Sequence, residues 1–165
     1  MTMRRILLAV STSRYSQHLV EQAISEARRF MNDGDSVSID LLTIMETQEL
    51  EKISAKVGHS GFLGLDPQAE ILRALGDEHN RMAKRRVEEI KVAAREAQIP
   101  VKELTVSGKF VDHVLAYAEE LKSDIILITR ADRPFISRIL FGSEADTVAR
   151  LALRDGLGRV IIPDD

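Results

Sequence analysis

The apolar positions along the chain follow two different spacings. Short runs rich in isoleucine, valine and leucine are typical of strands buried on both faces, whereas apolar residues three and four apart are typical of helices that bury one side. The runs predict four buried strands, and a more polar, alternating segment predicts an edge strand at 101–106. The buried strands are predicted at 5–10, 36–44, 124–129 and 159–162.

Helical stripes lie between these strands. The first extends from Leu19 to Phe30, a long one covers 67–98, and two shorter ones cover 111–121 and 148–152. Pro67 suits the first turn of the long helix with Asp66 as its cap, and Pro100 favours an end just before it. Strands that alternate with helices predict parallel pairing and right-handed crossovers, hence a doubly wound α/β sandwich.

Composition limits the classes of protein that remain. A chain of 165 residues fits one domain, a net charge of -3 does not favour nucleic acid, and few aromatic residues make a base-stacking surface unexpected. The chain has no cysteine, and no apolar run approaches the roughly 18 residues of a membrane span. We therefore expect a cytoplasmic, single-domain protein over 1–165 that binds neither nucleic acid nor membrane.

One segment fits neither spacing. Residues 46–66 carry no strong pattern and include a glycine-punctuated stretch. A structureless connection of this length is unusual inside a compact domain. We interpret it as a mobile insertion, and a lid over the strand ends and an inert insertion are equally compatible with it.

The strongest candidate for ligand chemistry lies near the end of the chain. The strand at 124–129 leads into a basic loop, then to Gly142-Ser143 and a helix start. Free backbone N–H groups and the helix dipole at such a point favour an anion. Ser143 with Asp146 also resembles a capping box, which alone explains the serine and does not exclude a phosphate contact. For Ser13 or Ser16 we favour capping of the first helix.

Three pieces of the chain together resemble the universal stress protein family. They are Arg5-Ile-Leu-Leu-Ala-Val10, Val106-Ser-Gly108, and the region from Asp124 to Ser143. The resemblance covers essentially the whole chain. It implies a three-layer sandwich of the adenine nucleotide alpha hydrolase-like type, with a five-stranded parallel sheet of order 3-2-1-4-5. It also implies a homodimer, built along the last strand around Val160, Ile161 and Ile162.

The ATP-binding branch of that family carries the motif Gly-x2-Gly-x9-Gly-Ser/Thr. Counting back from Gly142 places the two leading glycines at Thr129 and Asp132, so only the final Gly142-Ser143 is kept. The branch also tends to have an aspartate at the end of the first strand, where this chain has Ser11. The added side chains occupy positions where the backbone would approach a ligand.

The same loop gains positive charge. Arg130, Arg133 and Arg138 lie between the altered and the kept positions, and arginine suits phosphate through its planar fork. One hypothesis is that these arginines replace what the glycines did. The other is that Asp132 pairs with one of them and the loop is a rigid connector.

These observations predict a stress-response or regulatory protein that is not an enzyme. An adenine nucleotide, ATP or AMP, or another anion would bind between strands one and four, with no certain cofactor and no metal. The alternative is a dimerising interaction module that binds no nucleotide. The predicted ligand-binding residues are Ser11, Thr43, Ile44, Thr129, Arg130, Arg133, Arg138, Gly142 and Ser143.

Overall fold

Five strands alternate with four described helices. The computed structural model of the chain describes residues 2–11, 14–46, 65–130 and 144–163. In chain order the elements are β1 (Met3–Val10), α1 (Gln17–Asn32), β2 (Ser36–Glu46), α2 (Leu65–Glu96), β3 (Val101–Gly108), α3 (Phe110–Glu120), β4 (Ile125–Leu127), α4 (Glu144–Arg154) and β5 (Arg159–Ile161).

The strands form one parallel sheet of order β3-β2-β1-β4-β5. Strand β1 lies at its centre, where Leu8 pairs with Leu41 on one side and with Leu127 on the other. The order reverses between β1 and β4, as expected of a doubly wound sheet. The predicted fold class and strand order are confirmed, and β3 is an edge strand as its polar alternation indicated.

Alternate residues of the strands serve two separate cores. Ile6, Leu8 and Val10 of β1 pack on the side of α1 and α2. Leu7 and Ala9 pack on the opposite side, with α3 and α4. The period of two along a strand buried on both faces explains the continuous apolar runs in the sequence.

Several boundaries differ from the prediction. Strand β2 continues to Glu46, two residues beyond the predicted end, because β3 pairs with it up to Gly108. Helix α2 begins at Leu65, so its start also takes residues from the predicted insertion. The rest of that insertion, 47–64, lies outside the described residues. Strand β4 is shorter than predicted and ends at Leu127.

Gly158 permits the last strand to join the sheet. A Cβ atom at this position would overlap the carbonyl oxygen of Ser123, which precedes β4. The backbone N–H of Arg159 then donates to the carbonyl of Asp124 at 3.0 Å, and the β4–β5 pairing begins.

Among the described helices, none has both the length and the apolar character that a membrane crossing requires.

Candidate functional site

The carboxyl ends of β1 and β4 lie side by side at the reversal of strand order, where doubly wound proteins bind ligands. Ser11 directly follows β1 and is 3 % exposed, and Thr129 follows β4 by two residues and is 2 % exposed. Leu8 and Leu127 are paired in register, so both strands reach the same edge. The structure thus brings two predicted site residues, Ser11 and Thr129, to one edge of the sheet.

Strand β2 ends at Glu46 and not at Ile44, where the sequence predicted its end. Thr43 and Ile44 are internal to the strand, paired in register with Thr105 and Val106 of β3. The Ile44 side chain is part of the core beneath α3 and α4. The residue that ends the strand at the crevice is Glu46, and its carboxylate is buried.

A buried arginine joins the elements that meet at this edge. The Arg14 side chain is 1 % exposed, and its Nη2 lies 3.2 Å from Oε1 of Glu46 and 3.1 Å from Oε1 of Glu144. Its guanidinium carbon lies 4.4 Å from the centre of the Phe110 ring. The hydroxyl of Ser11 donates to Oε2 of Glu46 at 2.6 Å. We name these five residues the carboxyl-end cluster.

The turn after β1 directs Arg14 back over the strand ends. Ser11 and Arg14 exchange two backbone hydrogen bonds of 3.3 and 3.2 Å. The carbonyl of Ser11 also accepts a bond from Nη1 of Arg86 on α2, at 3.2 Å. Of the two serines predicted to cap the first helix, Ser16 caps α1 by accepting from the backbone N–H of Leu19 at 3.1 Å. The other, Ser13, lies outside the described residues.

The carboxylates and the aromatic ring around Arg14 compensate the cost of burying its charge. A buried guanidinium is tolerated when carboxylates and hydrogen bonds satisfy it, and stacking on an aromatic face adds attraction. Glu46 contributes from the end of β2, and Glu144 from the first turn of α4, where the helix dipole favours an acidic group. Two carboxylates and one guanidinium give the cluster a formal charge of about -1.

Tyr15 lies at the rim of the cluster. Its hydroxyl donates to Oε2 of Glu89 at 2.9 Å, and the guanidinium of Arg86 lies 4.8 Å from the centre of its ring. Partial burial, reinforced by the hydrogen bond to Glu89 and its negative charge, raises the pKa of Tyr15 to about 12. The phenol therefore remains protonated, as a hydrogen-bond donor, throughout the neutral range.

Arg130 is the one predicted loop arginine that falls within the described residues. Its Nη2 donates to Oδ1 of Asp146 at 2.9 Å, so it ties the end of β4 to the first turn of α4. Both partners of this ion pair are partly exposed, unlike the buried pair of Arg14 with Glu46. The other predicted residues, Arg133, Arg138, Gly142 and Ser143, lie outside the described residues, as does Asp132.

The sequence reasoning missed Arg14, Glu46 and Glu144. Their positions in the sequence could have indicated a role, because each is a charged residue close to the start or end of a predicted strand or helix. Glu46 follows the apolar run of strand two, Arg14 lies between strand one and its helix, and Glu144 directly follows Gly142-Ser143. Charged residues at neighbouring strand ends are expected to meet in a parallel sheet.

The fold and the crevice define a doubly wound α/β protein with a polar, buried edge at its reversal of strand order. A comparison with family models finds a match to the universal stress protein family over residues 2–153. The chain belongs to this family. Membership places it among the stress-response proteins from which the family takes its name. No curated protein sequence matches the chain significantly.

Solved structures of universal stress proteins share the fold. The UspA protein of Lactobacillus plantarum is 17% identical with a TM-score of 0.65, and the match covers 99% of each chain. A universal stress protein in complex with cAMP is 21% identical with a TM-score of 0.62, covering 98% of this chain and 97% of the other. A family protein of Arabidopsis thaliana with AMP bound is 12% identical with a TM-score of 0.53, covering 96% and 90%.

Proposed function

We propose that this protein is a regulatory universal stress protein that binds an adenine nucleotide, or another anionic ligand, without turning it over. The observation that carries the proposal is the buried polar edge at the ends of β1 and β4, where Ser11 and Thr129 are almost fully enclosed. Doubly wound sheets bind ligands at this edge. Two similar structures, those with cAMP and AMP, support an adenine nucleotide as the ligand class.

The proposal gives the predicted residues separate tasks. Ser11 touches the ribose, and the backbone near Ile44 meets the adenine edge. Gly142 and Ser143 hold phosphate oxygens by backbone N–H and hydroxyl, because a helix start offers unpaired donors. The remaining task, neutralising the phosphate charge, falls to arginines of the loop: Arg130, Arg133 and Arg138.

Calorimetry tests this proposal directly. The purified protein is first analysed for co-purifying nucleotide, and is then titrated with ATP and with AMP up to hundreds of micromolar. We expect heat with at least one of them, and a several-fold weaker affinity in Ser143→Ala. Ser137→Ala, at one of the unspecified positions between the second and third fixed positions of the motif, is the matched control. No co-purifying nucleotide and no heat with either ligand would overturn nucleotide binding.

A second candidate function is favoured by the carboxyl-end cluster itself. Arg14 already pairs with Glu46 and Glu144 inside the crevice, which suits a module that dimerises and binds no nucleotide. Strand β5 is one of the two edge strands of the described sheet, and Val160, Ile161 and Ile162 are only half-buried in the monomer. We propose that two copies pair along β5 and that the protein works in the cytoplasm. A monomer in sedimentation velocity at tens of micromolar would contradict the dimer.

A further inference from the structure

This inference rests on the proposed function and concerns the same crevice. We propose that Arg14 is the residue that determines which ligands the crevice admits. In the free protein its guanidinium occupies the nucleoside end of the crevice. An adenine nucleotide binds there only when the guanidinium has left.

The contacts of Arg14 place it across the crevice. Glu46 holds it from the end of β2, and Glu144 holds it from the start of α4. Both Nε and Nη2 of Arg14 face the Glu46 carboxylate, at 3.2 to 3.3 Å. The flat side of the guanidinium rests on Phe110, the first residue of α3. The side chain thus spans the gap that a ligand at the strand ends would enter.

The same place cannot hold both groups. Arg14 is 1 % exposed, and protein interiors are packed as densely as molecular crystals. The Ser11 hydroxyl, which the proposed function assigns to the ribose, is already donated to Glu46 at 2.6 Å. A nucleoside that reached Ser11 would therefore compete with the Arg14–Glu46 pair for space and for hydrogen bonds.

The groups left behind when the Arg14 side chain moves out of the crevice determine which class of ligand can bind there. Glu46 and Glu144 would then face the newcomer, and ionised carboxylates only accept hydrogen bonds. The entering group must supply donors, such as the hydroxyls of a ribose or the amino group of a base. Phosphates beside Glu46 would be repelled, so the crevice orients the ligand with its nucleoside toward the end of β2. A monophosphate is then favoured over a triphosphate because it brings less charge near the two carboxylates.

Occupancy by Arg14 also lowers the apparent affinity. When only a fraction of the molecules is competent to bind, the apparent dissociation constant rises by the inverse of that fraction. Removing the guanidinium together with the charge of its main partner removes the ion pair that holds residue 14 across the crevice, and the flexible methionine side chain can be displaced at less cost. The double variant Arg14→Met/Glu46→Gln does this without leaving Glu46 as an unpaired buried carboxylate.

The test is the affinity for AMP, measured by calorimetry. We expect Arg14→Met/Glu46→Gln to bind AMP at least ~10-fold more tightly than the unaltered protein, because the cost of opening is removed. The control Arg81→Met/Glu78→Gln makes the same chemical changes at two exposed residues of α2 and should bind like the unaltered protein. Equal or weaker binding by the crevice variant overturns the inference, since weaker binding would mean that Arg14 contacts the ligand directly.

A second variant keeps the test decisive if the double variant does not fold. Arg14→Lys retains the charge but cannot form the planar fork between two carboxylates, so several-fold tighter AMP binding is expected. The two proposals fail differently. If the unaltered protein binds AMP and the Arg14 variants gain nothing, only this inference is overturned. If neither the unaltered protein nor any folded Arg14 variant binds AMP or ATP, both nucleotide binding and this inference are overturned.

Discussion

The two ends of the sheet carry the same chemistry in different surroundings. At the amino end Arg4 lies 3.1 Å from Asp35 and 3.3 Å from Asp124, with its guanidinium carbon 5.4 Å from the Phe30 ring centre. At the carboxyl end Arg14 has two carboxylates and the ring of Phe110, at similar or shorter distances. The Arg4 side chain is 36 % exposed and that of Arg14 is 1 % exposed.

The difference in exposure separates a surface ion-pair cluster at the amino end from a largely buried one in the candidate site at the carboxyl end. All three charged side chains at the amino end are partly exposed, so losing Arg4 leaves Asp35 and Asp124 in contact with water. The hydrogen bond from Arg4 lowers the pKa of Asp35 there, as expected of an accessible pair. At the carboxyl end Arg14 and Glu46 are shielded from water, so losing Arg14 would leave Glu46 as a buried charge. The two ends therefore predict different responses to the same substitution.

The largest expected effect is the loss of stability in Arg14→Met. Breaking a buried ion pair from one side costs about 3–5 kcal/mol, because the orphaned carboxylate remains desolvated. Arg4→Met makes the same change at the amino end and should lower the free energy of unfolding far less. Urea denaturation of both variants measures the difference. Equal losses would show that burial does not distinguish the two arginines.

A smaller effect is expected when the aromatic partner is shortened. Phe110→Leu removes core volume and the face on which Arg14 rests, which should cost about 1–2 kcal/mol. Phe30→Leu removes the corresponding ring beneath Arg4, where both groups are partly exposed. Urea denaturation measures both variants, and we expect Phe30→Leu to keep a higher free energy of unfolding than Phe110→Leu. A larger loss in Phe30→Leu would reverse the comparison.

The smallest expected effect is a titration at the rim of the carboxyl end. The pKa of Tyr15 is raised from 10.0 to about 12, so folding favours the neutral phenol. Its contribution to stability is complete below about pH 10 and is lost as the pH rises through 12. Ultraviolet difference spectra of the phenolate, compared with those of Tyr15→Phe, should show this late ionisation. A Tyr15 ionisation near pH 10 in the folded protein would contradict the hydrogen bond to Glu89.

The sheet could be predicted because its signals are local. Strands β1 and β2 are buried on both faces, so their apolar runs are visible without knowledge of their neighbours. The alternation of polar and apolar residues in β3 is also local, and it indicated an edge strand. The strand order came from the family resemblance, since apolar runs alone do not state which strands are adjacent. The end of β2 was missed because its last pairs depend on β3.

The candidate site was predicted only in part. Ser11 and Thr129 were located correctly at one edge, because the motif spacing and the reversal of strand order fix their positions along the chain. Arg14 and Glu46 were missed because their pairing depends on side-chain directions at two strand ends that no local pattern reveals. A charged residue is also normally assigned to the surface, and here the turn between Ser11 and Arg14 brings one inside.

The contacts of Arg14 also impose an order on the assembly of the chain. Arg14 and Glu46 are 32 residues apart and can meet once the first strand, helix and second strand have come together. Glu144 belongs to the last helix, near the opposite end of the chain, and joins them only when the final part of the sheet has docked. During synthesis Arg14 can therefore pair with Glu46 early, and it gains its second carboxylate only after α4 has been made.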